Sequence, residues 1–267
     1  NVFSMGYNNY GQLGNGNTTN QGSPVQVLKG NYAGTTYLGD NKINPAISVS
    51  ASYYHSMILT ENGSVFTMGD NTNGQLGDGT LMGKLTPVQV LKGAYTGTTY
   101  LGDNPSNKIV AITTGIWGGT TLAENGQVYG FGSNNFGQLG DGSVTNRTTP
   151  VMALKGGYVG VTNLGDYPSN PIVSISSGWD HTMAIAADGF VFTVGNNGNG
   201  QLGDNTITSK LTPIQTLGVN NRGNLNVLIN SLKPKMTAVP ANNITYTSAN
   251  LNALVNPNNL STTIVFE

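Results

Sequence analysis

Four copies of "GQLG", beginning at Gly11, Gly74, Gly137 and Gly200, lie 63 residues apart every time, with no insertion or deletion between them. A fixed period of this kind defines a repeat architecture before any single element is assigned. The match runs well past the four letters, because "NVFSMGYNNYGQLGNGN", "SVFTMGDNTNGQLGDGT", "QVYGFGSNNFGQLGDGS" and "FVFTVGNNGNGQLGDNT" align without gaps. A block such as "LKGAYTGTTYLGDN" follows the core in three units. One such as "ISVSASYYHSMILTENG" precedes it in three. The register holds from Asn1 to about Leu217.

Inside one unit the apolar residues recur with a period of two. "AISVS", "SMILT", "SVFTM" and "PVQVL" are four short alternating runs between clusters of Gly, Asn and Asp, which reads as four strands. The Asn-Gly pair in "ENGS" at 61–64 predicts a two-residue hairpin turn between the second and third strands. Pro87, Pro150 and Pro213 are expected to open the fourth, an edge strand that tolerates a missing N–H. No stretch holds a helical period over ten residues, so the class is all-β, and repeated four-stranded sheets close radially into a β-propeller. Counting from "ISVSA" through "PVQVL" gives three full blades behind an opening half blade that holds only strands three and four. Such a half blade exposes a sheet edge. Further repeats upstream in the gene, or a neighbouring subunit, are expected to complete it.

Composition narrows the partners. Charged residues make up 9% of the chain, against about 25% in an ordinary domain, but apolar residues held at constant repeat positions imply a packed core rather than disorder. Eleven basic against twelve acidic residues offer no cationic surface for phosphate backbones, which argues against nucleic acid. The chain has no cysteine, hence no disulfide, thiolate metal site or cysteine nucleophile. No apolar run reaches the length of a membrane span, so membrane insertion is not expected. The chain opens on Asn inside a repeat, as a mature product or a fragment would.

The combination of "VFTMG" with "GQLGDGT", "SSGWDHTMAIAADG" and the closing "TPIQTL" resembles the repeat of the regulator of chromosome condensation family. The resemblance covers residues 1 to about 217 and implies a propeller, often of seven blades; the long "LKGxYxGTTYLGDNPSN" insert is closer to bacterial members. The family's eukaryotic founder exchanges nucleotide on a small GTPase and docks on chromatin. Nothing in a chain so near neutrality supports either activity here. A secreted bacterial relative that inhibits β-lactamases implies that the scaffold can serve as a protein-binding surface. After a connector at 218–236, residues 237–267 resemble the first strands of a bacterial fibronectin type III module. "NITYTSANLNALVNPN" would form its first strand pair and "TTIVFE" the start of the next, a partial β-sandwich. Such a pairing is typical of exported bacterial surface or adhesion proteins.

Enzymes need unlike groups converging in one pocket, and few polar residues here depart from the repeat. Asp40, Asp103 and Asp166 share one position; Asp78, Asp141 and Asp204 another; Glu61 and Glu124 a third. Asp70 and Asp180 stand outside these sets. His55 and His181 are equivalent, and the unit between them has Gly118 there, as a structural position would allow. No nucleophile, base and orienting group can be named together, so no enzyme, catalytic residue or cofactor is expected. The "GDGT" corners lack the alternating carboxylates of a calcium loop. A side chain capping the turn is the simpler account, and no metal site is assigned. One turn varies from copy to copy: between strands one and two it holds Tyr53 and Tyr54, then Ile116 and Trp117, then Trp179 and Asp180. It is expected on the same rim as the corner. Tyr53, Tyr54, Trp117, Trp179 and Asp180 are therefore the candidate binding residues, for a protein hot spot or a stacked glycan, unless the rings merely pack over neighbouring blades. The reading is a structural or adhesive module of a secreted bacterial surface protein. Alternatives are a filament or surface-layer subunit completed by its neighbour, and the accessory propeller of a larger extracellular enzyme.

Overall fold

The computed structural model describes residues 1–227 in full, and of the remainder the backbone of two strands. Residues 1–225 and 226–267 form separate compact units. In the first unit β1 (Phe3–Gly6) and β2 (Gln21–Gln26) make a two-stranded sheet. Three four-stranded antiparallel meanders follow: β3 (Ala46–Ala51), β4 (His55–Thr60), β5 (Val65–Gly69) and β6 (Lys84–Gln89); β7 (Ile109–Thr114), β8 (Gly118–Ala123), β9 (Val128–Gly132) and β10 (Arg147–Met152); β11 (Ile172–Ser177), β12 (His181–Ala186), β13 (Val191–Gly195) and β14 (Lys210–Gln215). Half a blade and three full ones stand where the period placed them.

First strands of neighbouring blades touch. The Ser50 and Thr114 hydroxyls hydrogen-bond at 2.9 Å, and the Ser177 N–H donates to Thr113 Oγ1 at 3.1 Å. The core lies between blades, with one cluster per seam. Met57, Leu59, Val90 and Leu101 of one blade meet Ile109, Ala123, Tyr129 and Phe131 of the next. Each large side chain so buried contributes about 1.5–3 kcal/mol of hydrophobic free energy. Phe66, Tyr129 and Phe192 on the third strands are at most 3% exposed, whereas Phe3 at the same position of the half blade is 57% exposed. Among the described residues the half-blade sheet holds only β1 and β2, so no second strand lies beside Phe3.

Two local expectations are corrected. At residues 60–64 only Gly63 has positive φ (92°), so the turn is not the two-residue type with two left-handed residues. The Gly63 N–H donates to Thr60 O, and the Thr60 N–H donates to Ser64 O, a type I turn closed by a glycine bulge. Asn62 instead accepts the Ser64 N–H on its side chain. Likewise Pro87 does not open β6 but sits three residues inside it. There the register with β5 breaks between Gly69↔Lys84 and Thr67↔Val88, so the missing N–H costs no ladder bond.

The segment after Leu217 folds back onto the last blade. Leu217 and Asn224 form a bridge equivalent to Leu154–Asn163, and the Leu225 N–H donates to Thr216 O. In the second unit β15 (Lys235–Asn242) pairs antiparallel with β16 (Asn250–Asn256). The earlier of these strands precedes the expected "NITYT", which, like "TTIVFE", lies outside the described residues.

Candidate functional site

Each "GQLG" corner is built around a buried asparagine that alignment alone did not single out. The Asn71 amide donates to Asp78 Oδ1 (3.0 Å), Thr80 O (3.0 Å) and Met82 O (3.2 Å), while its oxygen accepts the Leu76 N–H (3.0 Å). Asn8, Asn71, Asn134 and Asn197 are all fully buried. Asp78 also accepts from the Thr80 N–H and hydroxyl and pairs with Lys84. Burial alone would raise its carboxyl pKa, but the Thr80 hydroxyl and amide, Asn71 and Lys84 outweigh this and hold it below the ordinary value. These oxygens are committed to the turn.

The strand one–strand two turn is tied to the corner of its own blade by one backbone bond: Asp70 N–H to Tyr54 O, Ser133 N–H to Trp117 O, and Asn196 N–H to Asp180 O, each 2.8–2.9 Å. Turns and corners therefore share one rim. On it Tyr53, Tyr54 and Trp117 come together with two tyrosines from the half-blade corner, Tyr7 and Tyr10. Ring centroids are 5.5 Å apart for Tyr7–Tyr53, 5.1 Å for Tyr10–Tyr54, 4.6 Å for Tyr53–Tyr54 and 6.2 Å for Tyr7–Tyr10. Trp117 stacks on Tyr54 at 4.2 Å with the planes 18° apart. Five rings thus form a pad across two blade seams.

The rings divide into two kinds. Tyr54 and Trp117 are half-buried and pack across the seam. Tyr7, Tyr10 and Tyr53 remain exposed, at 39–59%. Among the described residues no protein group takes the hydroxyls of Tyr7, Tyr10, Tyr53 or Tyr54. By contrast Tyr32, Tyr95 and Tyr158 of the insert are buried and donate to the carbonyls of Asn44, Asn107 and Asn170. Desolvation by its neighbours raises the Tyr10 phenol pKa above its ordinary value, with Tyr7, Tyr54 and Asp70 adding to it, so it stays a donor at neutral pH. The corner varies from copy to copy as the turn does, and that variation is the signal for this pair: position 7 aligns with Asp70, Ser133 and Asn196, and position 10 with Asn73, Phe136 and Asn199.

Trp179 lies on the same rim but outside the pad, two-thirds exposed, with its carbonyl accepting the Ile116 N–H. Asp180 faces inward and accepts from the Gln138 amide of the preceding blade at 3.3 Å. Burial pushes its carboxyl pKa up, and His181 opposes the shift. The other stray acid, Asp70, accepts from Gln75 at 2.8 Å. Both satisfy buried glutamines.

The fold and rim define a propeller of repeated blades whose variable loops gather on one side. Models of the regulator of chromosome condensation (RCC1) repeat match residues 1–59, 62–117, 125–185 and 188–228, and the chain belongs to that family. It is 34% identical over 167 residues to human HERC4, named a probable E3 ubiquitin-protein ligase, covering 62% of this chain and 14% of that protein. The crystal structure of human WBSCR16 superposes with a TM-score of 0.62 at 22% identity, over 82% of this chain and 49% of that one. Yeast (Saccharomyces cerevisiae) Prp20p, described with its binding to Gsp1p and histones, gives 0.59 at 21%, over 80% and 46%. The chain therefore spans about half or less of the relatives it matches.

Proposed function

We propose that residues 1–225 are a protein-binding propeller module whose contact surface is the aromatic rim. The observation that carries this reading is the tyrosine pad, in which Tyr7, Tyr10 and Tyr53 are exposed and preorganised by neighbouring rings while their hydroxyls have no partner among the described residues. Tyr and Trp amid Asn, Gly and Ser provide rigid, amphipathic contact area at low cost in side-chain entropy, as in antibody paratopes. Prp20p, a protein of the same fold, is described as binding proteins, which supports the general role and names no partner for this chain. The E3 ligase named for HERC4 is not carried over to a chain matching so small a share of it. Within this reading the module serves an exported bacterial surface protein, in keeping with the low charge and absent cysteine.

The test is a quantitative capture experiment on extracts of the source cells. Proteins retained by the wild type should be lost with Tyr7→Ser/Tyr53→Ser and kept with Tyr167→Ser, which alters an exposed ring of the insert. Identical retention by all three chains would refute the rim as the contact surface.

A further inference from the structure

The tyrosine pad is unbalanced in its hydrogen-bonding groups. Its donors are free: the hydroxyls of Tyr7, Tyr10, Tyr53 and Tyr54, and the indole N–H of Trp117, which stacks on Tyr54 at 4.2 Å, have no acceptor among the described residues. The acceptors beside them are taken. Tyr53 O receives the Gln12 amide at 2.9 Å, while Tyr54 O and Trp117 O receive the Asp70 and Ser133 N–H groups at 2.9 and 2.8 Å. The Asp70 carboxylate accepts from the Thr72 N–H and hydroxyl and from Gln75, and the Gln12 side-chain oxygen accepts the Tyr10 N–H. A ligand therefore meets donors and few acceptors.

Charge and shape narrow the ligand further. The cations of the next two corners, Lys84 and Arg147, are paired with Asp78 and Asp141 at 3.3 and 2.6 Å, so a charged segment finds no free counter-ion here. The rings are steeply inclined to one another, by 45° for Tyr7–Tyr53, 59° for Tyr7–Tyr10, 65° for Tyr53–Tyr54 and 89° for Tyr10–Tyr54. With centres 4.6–6.2 Å apart, they leave wedge-shaped clefts instead of one flat platform.

We infer that the pad is a docking site for a neutral, proline-rich segment in the polyproline II conformation. The inference rests on the rim being a protein contact surface and adds the chemistry of the partner. Such a segment has no internal hydrogen bonds, and proline removes its N–H groups, so its backbone brings acceptors alone to a surface of free donors. At a rise of about 3.1 Å per residue, every second residue lies about 6 Å further on, close to the spacing of the clefts. Being stiff beforehand, it loses little entropy on docking against aromatic walls. Other ligands match less well. A strand brings donors as well as acceptors and needs a sheet edge. A helix has satisfied its own backbone and leaves the hydroxyls unused. A sugar's hydroxyls require acceptors as well as donors.

The probe is octaproline blocked at both ends, titrated into the full chain and followed by NMR of the aromatic rings and backbone amides. Saturable shifts should centre on Tyr7, Tyr10, Tyr53 and Trp117. The double variant Tyr10→Phe/Tyr53→Phe keeps the rings and removes two donors, and should weaken binding by about tenfold with the unfolding midpoint unchanged, a loss that ring packing alone would not produce. Tyr167→Ser should bind octaproline as the wild type does. A blocked Gly-Ser octapeptide, neutral but flexible, and a neutral oligosaccharide should leave the pad unshifted. No binding at millimolar octaproline, equal binding by the Phe variant, or matching shifts with either control would overturn the assignment. If extract proteins are still retained through Tyr7 and Tyr53 while octaproline fails to bind, the rim stands as a contact surface and the proline-rich partner falls.

Discussion

Alanine at Gly74 and at Gly200 separates the two demands placed on the corner glycine. Both residues have nearly the same backbone, φ 82° and 77°, so each alanine costs about 1–2 kcal/mol for a left-handed conformation. Only at Gly74 does the new methyl collide, lying 2.8 Å from Arg147 O and 2.9 Å from Thr148 Cα. Those are backbone atoms of the next blade, held by the Gly79 N–H to Thr148 O bond, and they cannot move aside without opening the seam. Overpacking of this kind adds about 1–3 kcal/mol. Gly74→Ala should therefore cost about 2–5 kcal/mol and Gly200→Ala about 1–2 kcal/mol, a gap of several degrees in Tm. Urea and thermal unfolding of the two variants measure it. Equal destabilisation would refute the view that the corner glycine is needed to seat the next blade.

Other consequences follow from the same contacts. Asn71→Ala strands the buried Leu76 N–H and removes the donor to the Thr80 and Met82 carbonyls, and should cost about 1–3 kcal/mol, read by thermal unfolding. Burial holds the His55 pKa down to about 4, so the unfolded chain binds more protons than the native one as pH falls from 6.5. Stability should decline by about 3 kcal/mol between pH 6.5 and 4, and His55→Gln should remove most of that slope. A smaller part belongs to His181, whose pKa burial also lowers. Trp117→Ala breaks a stacked pair across a seam and should cost about 1–3 kcal/mol. Trp179→Ala on the exposed rim should stay within about 0.5 kcal/mol, as paired melts would show.

The architecture was legible because the period and the alternation of apolar residues report the same thing at every copy. Four strands per unit, the half blade and the shared rim all follow from positions that repeat. What was hidden depends on tertiary context. Asn71 looked like one more loop asparagine, since nothing local shows that its amide spans eleven residues to Met82. Asp180 looked like a rim residue because its partner, Gln138, lies 42 positions away in another blade. Tyr7 and Tyr10 were visible in the alignment but gained meaning only when the half-blade corner met Tyr53 and Tyr54. For Trp117 the sequence left open whether the ring faces solvent or packs over a neighbouring blade, and the stack on Tyr54 half-buries it.

The rim claim is tested most directly by hydroxyl-radical footprinting of the chain with and without a captured partner, read residue by residue by mass spectrometry. The account predicts protection of Tyr7, Tyr10 and Tyr53, with Tyr167, equally exposed in the insert, unchanged. Protection of Tyr167 with unaltered labelling of the three rim tyrosines would contradict it.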